Sequence, residues 1–66
     1  MPKPYGYSAK GQIEGFLKEI YPNGSTIEDM AIRFEIQPKT VKSHLNEFQM
    51  NNMVKNKDNI FYWKQS

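Results

Sequence analysis

Apolar residues recur along this chain with helical spacing three times and then fall into two short β-prone runs. Ile13, Phe16, Leu17 and Ile20 stand at i, i+3, i+4 and i+7, one face of a helix that opens with Ser8 as its N-cap. Gly11 and Gly15 each cost up to about 1 kcal/mol relative to alanine in a helix interior, so the start of this helix is expected to fray. Pro22, Asn23 and Gly24 stop it. Thr26 followed by Asp29, or Ser25 followed by Glu28, then offers a hydroxyl and a carboxylate to the free amides of a second helix. Ile27, Met30, Ala31 and Phe34 form its apolar stripe. That helix must finish near Glu35, because Gln37 precedes Pro38 and is driven toward extended geometry.

Pro38 suits the first turn of a third helix, residues 38–50, with Val41, Leu45 and Phe48 facing inward and Asn51-Asn52 ending it, one of the two in a left-handed conformation. Two short β-prone runs follow, Met53 to Asn56 and Ile60 to Lys64, separated by Lys57-Asp58-Asn59. The order helix, helix, tight turn, helix, hairpin predicts an α+β, mainly helical fold: a three-helix bundle with a C-terminal β-hairpin over residues 8–66. Residues 1–7, with two prolines and a glycine, read as an extended arm whose Lys3 could add one contact.

Length narrows the functional classes. Sixty-six residues hold one small core, and with no cysteine that core has neither disulfide nor thiolate–metal support. Hydrophobic residues at 38% and aromatics at 14% suffice for a folded chain. No apolar run reaches membrane-span length and the N-terminus lacks a signal-peptide stretch, so no membrane partner and a cytoplasmic location are expected. A net charge of +2 decides little, but its placement is uneven. Glu14, Glu19, Glu28, Asp29 and Glu35 fall in the first half, and Lys39, Lys42, Lys55, Lys57 and Lys64 in the second.

The run from Thr26 through Pro38 to Met53-Val54 resembles the helix-turn-helix and wing entry of winged-helix transcriptional regulators, over about residues 11–64. Ala31 stands at the small-residue position where two helices of that family pack closely, Val41 and Leu45 at the inward positions of the recognition helix, and Met53-Val54 at the opening of the wing. The chain departs from the pattern at Glu35 and Asn52, both positions where the family often has glycine; of the two, asparagine is the milder change. The resemblance implies a winged helix-turn-helix that places residues 38–50 in the major groove of double-stranded DNA and acts by occupying a site, as a small transcriptional regulator does.

The third helix itself divides into two faces at about 100° per residue. With Val41, Leu45 and Phe48 inward, Lys39, Ser43, Asn46 and Met50 fall nearly opposite. Lys39 and Lys42 can meet phosphates or guanine acceptors, Asn46 suits an adenine edge, Thr40 and Ser43 offer short hydroxyls, and Gln37 is a further DNA-binding candidate just before the helix. Lys55 and Lys57 would bracket the wing tip and meet backbone phosphates. No arginine stands in that helix, which turns expectation away from G-rich sites toward A·T-rich sequence or shape. The single His44 offers no second metal ligand and reads as structural, Glu28 and Asp29 as capping groups, so no metal, cofactor or catalytic pair is expected. Strand alternation sends one of Tyr62 and Trp63 to the core, which favours core or dimer packing over base stacking, and Tyr5, Tyr7 and Tyr21 could extend such a surface in a homodimer. The alternative reading is a winged-helix module that binds a protein partner, within a mobile-element or nucleic-acid-processing complex.

Overall fold

The computed structural model describes residues 8–64; the arm expected at 1–7, with Lys3, Tyr5 and Tyr7, lies outside the described residues. Its elements are α1 (Ala9–Ile20), β1 (Gly24–Ser25), α2 (Ile27–Phe34), α3 (Pro38–Met50), β2 (Val54–Lys57) and β3 (Ile60–Trp63). The fold is α+β and mainly helical, three helices with an antiparallel sheet, and its order is compatible with a winged helix.

Local chemistry sets each boundary. Ser8 Oγ accepts the Gly11 amide at 3.0 Å and Thr26 Oγ1 accepts the Asp29 amide at 3.1 Å, each satisfying a donor that a helix start leaves free. The Ser25 hydroxyl donates to Asp29 Oδ2 at 2.9 Å, so both candidate capping hydroxyls engage this turn. Gln37 is extended (φ −69°, ψ 140°), as a residue before proline must be, and Pro38 opens α3. Two helices end on the same device. Glu35 takes φ 55° and lets the Ile36 amide reach the Ala31 carbonyl at 3.0 Å; Asn52 takes φ 61° and lets the Met53 amide reach the Phe48 carbonyl at 2.9 Å. Glu35 thus performs the glycine's task with a side chain attached. The Tyr21-Pro22 peptide is cis.

The core lies where the three helical stripes meet the sheet. Ile13, Leu17, Met30, Val41 and Leu45 are fully buried, with Phe16, Phe48, Val54, Phe61 and Trp63 almost so. Ala31 is buried, and Phe16 meets Phe34 edge to face at 5.6 Å between centroids.

The sheet differs from the expected two-stranded hairpin. Its order is β1-β3-β2, with β3 central: Gly24 pairs with Tyr62 and Ser25 with Phe61 on one side, while Val54 to Lys57 pair with Trp63 to Ile60 on the other. Two residues are too few for a period-2 pattern to declare itself, which is why the Gly-Ser pair reads only as a helix stop in the sequence. The space at Gly24 has one visible cause, since a Cβ there would come within 2.7 Å of both Ile60 Cγ2 and the Phe61 carbonyl oxygen. The hairpin loop is also shorter than expected. Lys57 pairs with Ile60, leaving Asp58 and Asn59 as a two-residue turn with φ 54° and 66°, the left-handed pair that matches strand twist. Pairing runs one step past the strand ends, where the Lys64 amide donates to the Met53 carbonyl at 2.9 Å.

Candidate nucleic-acid interface

Burial of Val41, Leu45 and Phe48 fixes the rotation of α3 and leaves the opposite edge outward. Lys39, Lys42, Ser43, Asn46 and Met50 are exposed, as is Gln37 at the N-cap, and Thr40 is half-buried. His44 is half-buried on the flank. The side chain of Gln37 makes no capping bond, so the amides at the start of α3 have no side-chain acceptor from it. Met50, at 86% exposure, gives this edge one apolar end.

Charge along the edge is one-signed. Among the described residues the ion pairs join Lys10 to Glu47, Lys18 to Glu14 and Arg33 to Asp29, and none of them involves Lys39 or Lys42. Glu47 is the one carboxylate on α3, and the Lys10 ammonium from α1 is hydrogen-bonded to it. That bond and the charge behind it hold the Glu47 carboxyl below its ordinary value. The same ammonium lies 5.6 Å from the Phe48 ring centroid, so Lys10 couples α1 to α3 and offsets the negative charge beside the lysine edge.

The sheet positions the remaining candidates differently from expectation. Lys57 adjoins the Asp58-Asn59 turn, at the tip; Lys55 stands mid-strand opposite Tyr62, with its Nζ 5.7 Å from the Tyr62 ring centroid. The two lysines therefore do not bracket the tip. Spacing of two residues along β2 puts them on one face of the sheet, where they line a cleft of about 560 Å³ with Tyr21, Pro22, Tyr62, Trp63 and Lys64. No α3 residue lines that cleft. The eight residues singled out in the sequence thus fall into two groups, six around α3 and two on the sheet. Sequence reasoning missed Tyr21 and Lys64 as neighbours of the sheet pair; alternation in Ile60–Lys64, which puts Tyr62 and Lys64 on one face, was the signal for Lys64.

Of the two aromatic residues in question, Trp63 goes to the core, 5.8 Å from Phe48 between ring centroids, and Tyr62 faces the cleft half-exposed. No group of three or more His, Asp or Glu side chains able to hold a metal occurs among the described residues, and no helix among them is long and apolar enough to cross a membrane. No protein-family model, curated protein or solved structure matches the chain.

Proposed function

We propose that the protein is a winged helix-turn-helix that binds double-stranded DNA by laying α3 in the major groove, and that it acts by occupying a site, as a small regulator without catalytic activity. The observation that carries this reading is the outward edge of α3, where Lys39 and Lys42 are exposed and unpaired while Glu47 is held by Lys10. A cationic helix edge free of opposing carboxylate is what a groove walled by phosphates attracts. Asn46 and Ser43 lie on the same edge and supply donors and acceptors for base edges, Asn46 with the pair that fits adenine. Gln37 and the start of α3, with no side-chain cap, suit a phosphate at the helix N-terminus. Lys57 at the hairpin tip extends the contact to the backbone beside the groove. With no arginine on α3, discrimination rests on A·T-type contacts and on DNA shape.

A second reading, a protein-binding module, is favoured by Met50, which is almost fully exposed at the end of the same edge, and by Ile32 at 79% exposure on α2. Titration of random-sequence duplex DNA at low and moderate salt separates the two. A DNA-binding protein binds at low salt and loses affinity steeply as salt rises; an adaptor shows little binding at either.

A further inference from the structure

The outer face of the sheet is built from residues that, Lys57 apart, duplex binding through α3 leaves unused. Alternation sends Phe61 and Trp63 to the core and turns Tyr62, Lys64, Lys55 and Lys57 outward. Tyr62 is on the central strand, with Lys55 opposite it on β2 and Gly24 opposite it on β1. A Cβ at position 24 would lie 2.8 Å from Tyr62 Cδ2, so the ring edge occupies the space above the glycine backbone and is held against the sheet. Tyr21, 45% exposed, stands at the rim just before β1. The cleft these residues line carries three lysines and no carboxylate. Its volume of about 560 Å³ is in the range that takes a small organic ligand or one unit of a polymer.

We infer that this cleft is a second nucleic-acid site, for a single strand, in which a base lies on the Tyr62 ring and Lys55, Lys57 and Lys64 meet the flanking phosphates. The combination of features selects that occupant. Lysines without carboxylates call for a polyanion, and an acidic peptide would satisfy that charge without needing the ring faces. A duplex would supply phosphates but keeps its base faces stacked, presenting only edges. A single strand offers both a phosphate chain and free π-faces, and stacking on an aromatic ring is tolerant of sequence. Lys55 now lies over Tyr62, but its side chain is exposed and free to move to a phosphate as a base takes the ring. The site shares no lining residue with α3 and only Lys57 with the duplex reading, so Tyr62, Tyr21, Lys55 and Lys64 test it separately from that reading.

The test is fluorescence-anisotropy titration of the full chain with oligothymidylate and oligouridylate of about ten nucleotides, a length within the span of single-strand sites. Amide chemical shifts mapped on the bound protein locate the contact. Binding is expected at low salt, with the largest shifts at residues 21 and 54–64 rather than 38–50, and the two oligonucleotides report whether the strand is DNA or RNA. Tyr62→Leu should weaken binding about tenfold, and Lys57→Ala with Lys64→Ala should lower the salt slope by about 1.4. Lys39→Ala with Lys42→Ala should leave it unchanged. Tyr21→Ala, at an exposed position, gives a further loss and keeps the test valid if Tyr62→Leu fails to fold. The inference is overturned if neither oligonucleotide binds, if the Tyr21 and sheet-lysine variants bind like the parent, if the α3 double variant loses as much as the sheet variants, or if polyglutamate competes as well as the oligonucleotides.

Discussion

The ring of Trp63 on β3 meets the ring of Phe48 on α3 edge to face, 5.8 Å between centroids and inclined by 74°. Through this contact the helix that carries the lysine edge is seated on the sheet that carries the hairpin tip. Both rings are buried, so the relative placement of the two rests on core packing rather than on surface bonds.

Phe48→Ala should therefore cost about 3–5 kcal/mol, from the lost burial and the cavity left beside Trp63. A domain of this size has little stability in excess of that amount. Urea unfolding monitored by Trp63 fluorescence should show a midpoint shifted far down or a chain unfolded in water; a midpoint within experimental error of the parent would contradict the packing.

Gly24→Ala should destabilise by about 1–3 kcal/mol, because the added carbon meets the Phe61 carbonyl oxygen, a backbone atom that cannot turn aside. The same denaturation experiment reads it, and amide exchange at Phe61, which pairs with Ser25, should accelerate as β1 loosens.

At Glu35 the opposite change is expected. A non-glycine residue at φ 55° carries a left-handed penalty, only partly offset by the greater entropy glycine loses on folding. Glu35→Gly should raise stability by about 0.5–1 kcal/mol, and Asn52→Gly by less, since asparagine tolerates that region better.

The Lys10–Glu47 pair predicts a pH dependence of small size, both side chains being about half exposed. Glu47 has its carboxyl lowered from 4.5 in the folded chain by the hydrogen bond and charge of Lys10, so its contribution is complete above 4.5 and is lost as pH falls through the lowered value. The melting temperature of Glu47→Gln should fall slightly below the parent's at pH 7, and the difference should vanish in acid. Lys10→Met, which leaves Glu47 unpaired beside the lysine edge, should also weaken duplex DNA binding about two- to fivefold at low salt. A DNA affinity equal to the parent's would show that Glu47 does not bear on the interface.

The helices and their ends were legible in the sequence because each signal was local. Val41, Leu45 and Phe48 repeat with the helix period, Ser8 and Thr26 cap, and Pro38 starts a helix; all act within a turn or two of chain. What escaped was non-local. Gly24-Ser25 becomes a strand only because Tyr62 and Phe61, far along the chain, bring a partner to it. Closeness in sequence suggests Lys55 and Lys57 as a pair at the tip, whereas strand register gives one to the turn and the other to Tyr62. The lysine edge of α3 was fixed once the inward residues were known. The sheet cleft was not, because it needs Tyr21 from the end of α1 beside Lys64 from the end of β3, and no local pattern joins them.

The claim that α3 enters the major groove is tested most directly by the salt dependence of duplex DNA affinity in the parent and in the Lys39→Ala, Lys42→Ala double variant. The variant should bind more weakly, with a log–log slope shallower by about 2, one counterion contribution per lysine removed. An affinity and slope identical to the parent's would contradict it.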